Sequence, residues 1–315
     1  MAVDLKLVKE LRERTSAGMS DCKSALEESA GDMEKAVAII LKKGLAKSAK
    51  RAGAIASEGE VRAAVSADKH AATMVEVNIQ TDFAARNDAF KAFVGDVLAV
   101  AEKTLAGADL AAQPLAGKTV AEAATDLTAK IGEKVAVRRW DAVAVPAGKH
   151  GVAHAYVHLG GKIGVILAIE TETAEAASHA EVLKFADDTA MQIAAMAPTM
   201  LQRSDATADM VAKQKDLYEG QLREDPKPKP EAAWPKIIEG KLNKWYSESC
   251  LLEQESATAA AEGKPGTTIE ALRAATAKAA GVSVTIARFV RFERGEGIEK
   301  KSDDFAAEVA KMAGG

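Results

Sequence analysis

The run VEVNIQTDFAARND, Val75 to Asp88, decides the fold. Val75, Val77 and Ile79 alternate with Glu76 and Asn78 in the period-two pattern of a strand, which ends in Thr81-Asp82-Phe83 before a helix begins. A phenylalanine beside a carboxylate at such a junction can project towards a partner. It can equally serve the interior, because Phe83 lies seven residues before Phe90 and could extend an apolar stripe or staple the helix start. Arg86 and Asn87 interrupt that stripe, so periodicity leaves both roles open.

Working outward, Val61, Ala63 and Val65 alternate before a turn at Ala67-Asp68-Lys69, which makes the run one arm of an antiparallel hairpin. Downstream, Phe90, Phe93, Val94, Val97 and Leu98 form one face of a helix. A second helical stretch spans Val120 to Ile131, and a strand returns over Val135 to Val145. The order then recurs. Val152 to Leu159 and Ile163 to Ile169 read as strands joined at Gly160-Gly161, Val182 to Ala197 as a helix ended by Pro198, and Val282 to Phe292 as a closing strand. The expected class is α+β, with a core of two hairpin-plus-helix subdomains and no residue-level repeat between them.

Flanking segments complete the plan. Residues 1–44 read as three short helices: Leu5, Val8 and Leu11 share a face of the first, and Cys22, Ala25 and Leu26 point inward from the second. Met33, Ala36, Val37, Ile40 and Leu41 line the third, which Gly44 closes. Lys42 to Arg51 holds five basic residues and no acid, the pattern of a solvated linker or a partner contact. Between the second helix and its returning strand lies an antiparallel helical hairpin around Asp225 to Pro235. Met210 and Leu217, Val211 and Tyr218, and Ile238, Leu242, Trp245 and Leu252 are its candidate seam residues. Pro226, Pro228, Pro230 and Pro235 break its tip. A last helix carries Phe305, Val309 and Met312 on one face. The expected domains are 1–54, a three-helix bundle; 55–147, the first core subdomain; 148–203 with 262–292, the second; 204–261, the inserted hairpin; and 293–315, a C-terminal helical module.

Composition excludes several classes. The 315 residues carry a formal charge of −4 with 48% hydrophobic and 4% aromatic content, which demands neither nucleic acid nor membrane. No apolar run approaches the roughly 18 residues of a membrane span, and the N-terminus lacks a signal-peptide pattern, so a cytoplasmic protein is expected. Cys22 and Cys250 have no paired spacing and read as buried reduced thiols. Gly18 to Ser24 has the form GxxxxKS but lacks the glycine before lysine of a phosphate loop. His150, His154 and His158 lie in an alternating strand, which puts the latter two about 13 Å apart, too far to share an ion. Asp187 and Asp188 point different ways on a helix. With no catalytic constellation, no cofactor and no metal site expected, the docking modules favour a binding protein over an enzyme.

Five stretches carry a family likeness: LRERTSAGMSDCKSAL (Leu11 to Leu26), EVNIQTDFAAR (Glu76 to Arg86), KIIEGKLNKWY (Lys236 to Tyr246), CLLEQ (Cys250 to Gln254) and RFERGEGIEK (Arg291 to Lys300). With them the chain resembles the translation elongation factor Ts family, guanine-nucleotide exchange factors of elongation factor Tu. Ser16 and Ala84 depart from the family's usual residues, and Ala84 trims two methyl groups beside Phe83. The resemblance implies a UBA-like N-terminal bundle that grips the GTPase domain together with the first core subdomain. The second subdomain would touch the GTPase's third domain, and the C-terminal helix would pack on the GTPase surface. It implies that Thr81, Asp82, Phe83 and Ala84 form the tip that dislodges Mg²⁺ from the partner, and that Arg12, Met19, Arg51 and His158 make further partner contacts. A 1:1 or 2:2 complex, with no direct nucleic acid, would follow. The alternative is an adaptor or chaperone-like scaffold that forms complexes without exchanging nucleotide.

Overall fold

The computed structural model describes residues 4–15, 17, 19–51, 53–227 and 229–299. The expected helix on Phe305, Val309 and Met312 lies outside them, as do Ser16, Gly18 and Pro228. The fold is α+β. Helices α1 (Leu5–Thr15), α2 (Met19–Glu28) and α3 (Met33–Arg51) form the head around Val8, Leu11, Cys22, Leu26 and Ile40. Strands β1 (Glu58–Val65) and β2 (Ala71–Ile79) lead into α4 (Asp82–Ala85) and α5 (Asp88–Ala101). A two-residue ribbon, β3 (Pro114–Leu115) and β4 (Lys118–Thr119), precedes α6 (Val120–Ile131) and β5 (Ala136–Ala144). The second unit holds β6 (His150–His158), β7 (Ile163–Thr171), α7 (Ala174–Ala177) and α8 (Ala180–Met196). After the arm, α9 (Ala208–Arg223) and α10 (Trp234–Ser249), it resumes with α11 (Ala257–Ala261), α12 (Ile269–Ala280) and β8 (Val284–Glu293).

Both principal sheets are antiparallel, ordered β1-β2-β5 and β6-β7-β8. Alternation sorts the faces of each central strand. Val75, Val77 and Ile79 of β2 meet Phe90, Val94 and Val97 of α5 and Val120 of α6, while Leu167 and Ile169 of β7 meet Phe185 of α8 and Ile269 of α12. The opposite faces meet each other: Val61, Met74 and Val143 pack with Ala153, Ile166 and Phe292 in a shared core between the sheets. The order is therefore helices, sheet, sheet, helices.

A repeat is present that no run of identical residues announces. Element starts in the second unit follow those in the first by ninety-two residues: Glu58 and His150, Ala71 and Ile163, Asp82 and Ala174, Asp88 and Ala180. After the arm the interval becomes a hundred and forty-nine, from Val120 to Ile269. Thr81 and Thr173 cap the short helices, Thr119 and Thr268 cap α6 and α12, and left-handed Gly132 and Gly281 end these last two. The interior residues differ at this offset, with Phe90 against Val182, Val97 against Thr189 and Leu98 against Ala190.

Other expectations need correction. Helix α3 runs through Gly44 to Arg51, so Gly44 does not close it and the basic run is helical. A Cβ at Gly44 would sit 2.8 Å from Ala129 Cβ, so glycine here allows α3 to close on α6 at the usual mid-helix cost. Leu5 and Leu41 are exposed instead of buried in the head. In the arm, Leu217 is exposed and the seam is formed by Val211, Tyr218, Leu222, Ile238, Leu242 and Trp245. Leu252 packs on the second core instead. Pro235 is accommodated in the first turn of α10, where a missing N–H costs no helical bond.

Candidate functional site

The tip is built from the end of β2 outward. Gln80 turns its Oε1 towards Lys134, whose backbone N–H donates at 2.9 Å, and towards Arg51, whose guanidinium donates at 3.3 Å. Thr81 is extended (φ −120°, ψ 153°) and caps α4, its Oγ1 accepting from Ala84 N at 3.2 Å. It also donates to the Glu133 carboxylate: backbone N–H to Oε2 at 3.0 Å, hydroxyl to Oε1 at 2.8 Å and to Oε2 at 3.0 Å. The helix lasts a single turn because Asn87 caps the next one, accepting from Ala89 N at 2.8 Å. Ala84 and Ala85 rest on the first core, and the opposite side of the turn faces water.

This placement resolves the two roles that periodicity left open for Phe83. Phe83 is 79% exposed, whereas Phe90, Phe93, Phe185 and Phe292 are buried. A break between α4 and α5 rotates Phe83 off the stripe that begins at Phe90. Asp82, half-buried, pairs with Arg86 at 3.0 Å. An exposed pair of this kind is worth less than about 1 kcal/mol, so a competing cation could recruit Asp82 cheaply. The two-methyl trim at Ala84 leaves a small residue packed on the core beneath the tip.

Of the remaining candidates, only Arg51 joins this assembly, through Gln80. Arg12 and Met19 are exposed on α1 and α2 of the head. His158 is exposed at the end of β6, where its Nδ1 lies 2.8 Å from the Tyr156 hydroxyl and the two rings stack. His154 instead approaches Asp187 at 3.2 Å, and Asp188 pairs with Lys184 at 2.7 Å. No group of three or more potential metal ligands occurs among the described residues, and no described helix is long and apolar enough to cross a membrane.

Behind the tip lies a charged cluster that sequence reasoning missed. Glu76, fully buried in β2, accepts from Arg138 Nη1 at 3.0 Å, Arg139 Nε at 2.6 Å, Asn78 Nδ2 at 3.0 Å and Gly295 N at 2.7 Å. Burial pushes its carboxyl up, but the donors from Gly295, Asn78, Arg139 and Arg138 outweigh burial and hold it below the usual carboxylate range. The cluster joins the tip-bearing strand to the turn after β8, which lies in the RFERGEGIEK stretch. Glu133 and Lys134 were also missed. Their only local trace is a polar pair directly after the helix-ending Gly132.

Known proteins give the same outline. The family described as Elongation factor TS matches residues 80–296, from the tip to the Glu76-bound turn. An Elongation factor Ts from Clostridium perfringens is 43% identical over 316 residues, covering 99% of this chain and 99% of that protein. Those of Trichlorobacter lovleyi and Bdellovibrio bacteriovorus are 43% and 42% identical, each over 100% of this chain and 99% and 100% of their own lengths. At that identity over the full length, with a family match that covers more than half of the chain, the chain belongs to the elongation factor Ts family.

Proposed function

We propose that this chain, a translation elongation factor by its family, acts as the guanine-nucleotide exchange factor of elongation factor Tu. The observation that carries the reading is the exposed Phe83 on a turn pinned at both ends. The equivalent turn of the second unit has the same threonine N-cap and an alanine, Ala176, at the place of Ala84, yet presents Glu175. The architecture therefore does not call for an aromatic residue at that place, and a partner does.

The mechanism is linkage. A protein that binds the nucleotide-free GTPase more tightly than its GDP form weakens GDP by the same factor, about 1.4 kcal/mol per tenfold. Asp82 and Phe83 would enter beside the partner's Mg²⁺, and loss of that ion would remove the largest local charge holding the diphosphate. Arg12, Met19 and Arg51 would hold the GTPase domain, and His158 its third domain. GTP would then expel the factor by the same reciprocity. No bond is made or broken by this chain, and it needs no cofactor. The arm would decide between 1:1 and 2:2 assemblies.

Release of fluorescent GDP from elongation factor Tu tests the reading. Substoichiometric amounts of this protein are expected to accelerate release. A stable complex without acceleration would replace exchange with the adaptor role.

A further inference from the structure

The loop after α6 carries a carboxylate that the architecture does not need. Both units clasp the end of their central strand to this loop: Lys134 N donates to Gln80 Oε1 at 2.9 Å, and at the equivalent place Ser283 N donates to Glu172 Oε2 at 3.5 Å. That clasp belongs to the shared fold. The contact one residue earlier does not. Glu133 takes Thr81 with both oxygens, whereas its counterpart is Val282. The second unit's Thr173 still caps its helix, accepting from Ala176 N at 3.3 Å, with no carboxylate behind it.

A single helical turn is poorly stable by itself, because nucleation fixes several dihedrals for few hydrogen bonds. Phe83 adds nothing to holding the turn, since it faces water. The Glu133 contact compensates. Charge-assisted bonds fix the backbone and the side chain of Thr81 at once, and a hydroxyl that gives its hydrogen to the carboxylate presents its lone pairs to Ala84 N–H. The direction in which Asp82 and Phe83 leave the body follows from Thr81.

We propose that Glu133 is a positioning residue that latches Thr81 and so holds the Asp82-Phe83 tip in its working direction. The proposal rests on the exchange reading for its functional consequence, while the latch itself can be read in the free protein. In the full-length chain, Glu133→Ala should speed amide exchange at Ala84, Ala85 and Arg86 by about tenfold, the scale of a lost hydrogen bond to a charged group. Ala176 and Ser178 in the second unit should keep their protection. GDP release at saturating factor should slow by about tenfold in both Glu133→Ala and Thr81→Val. Binding of the nucleotide-free GTPase should change little, and Thr81→Ser should restore the rate. The double variant should lose less than the product of the single losses.

Unchanged protection of the turn in Glu133→Ala would overturn the latch, and so would normal release by that variant. Slow release in Glu133→Ala with a normal Thr81→Val would also overturn it, by making Glu133 a direct partner contact. If wild type fails to accelerate release, the exchange reading falls separately, and the latch then stands or falls on the amide measurement.

Discussion

The two units are the same construction put to different uses. Each has a glycine pressed against its central strand, a threonine cap, a one-turn helix seated on small residues and a long helix behind. They differ at Phe83 against Glu175, Glu133 against Val282, and Glu76 against Ala168. What they share specifies the fold, and what only the first possesses lies at the tip or behind it. The second unit is thus a control, within the same chain, for what the architecture alone requires.

The shared part should break symmetrically and at the greatest cost. A Cβ at Gly59 would stand 2.1 Å from Val77 O, and one at Gly151 would stand 2.0 Å from Ile169 O. Backbone atoms in a paired strand cannot retreat, so Gly59→Ala and Gly151→Ala should each destabilise by about 3 kcal/mol or more in urea denaturation. Tolerance of either one would mean that the two strand pairs are not equivalent.

Glu76 should break the comparison next. Alanine occupies its place in the second unit, yet Glu76→Ala should cost about 3 kcal/mol because it strands the Gly295 N–H and two arginines built around a carboxylate. The sign with pH is fixed by its lowered folded-state value. Its contribution is complete above the unfolded carboxylate value of 4.5 and is lost as pH falls through the lower folded value. Denaturation midpoints of wild type and variant should therefore converge in acid and separate towards neutrality. A constant gap would show that packing, not charge, holds this cluster.

These residues also mark where the sequence was legible. Period-two runs located every strand of the two principal sheets, because apolar residues at that spacing have few other ways to be buried. Nothing local marks Glu76 and Asn78 as buried, because the partners of Glu76 come from Arg138 and Arg139 of β5 and from Gly295 after β8. Helix α12 is Ala-rich, with a weak apolar stripe, and only Thr268 and Gly281 mark its ends. Gly44 reads locally as a stop, yet α3 continues through it, and the space it leaves for Ala129 is a tertiary reason for glycine that no local pattern shows. At the tip, the residues were legible and their direction was not. Whether Phe83 faced the core depended on the cap at Asn87 and on the tether from Thr81 to Glu133, fifty-two positions downstream of that threonine.

The sharpest use of the comparison is to exchange the residue that distinguishes the tips. Phe83→Glu places the second unit's side chain on the first unit's turn, where Glu175 shows that such a turn tolerates it in water. Stability should stay within about 0.5 kcal/mol of wild type, as for an exposed substitution away from caps and core. GDP release should slow roughly 30-fold, the ~2 kcal/mol expected when a central aromatic anchor is lost. Phe83→Ala should do nearly the same, and Glu175→Ala should change neither quantity. The alanine variant separates loss of the ring from introduction of a negative charge. If only Phe83→Glu were slow, the ring would be dispensable and the tip would act through Asp82 and the backbone of its turn.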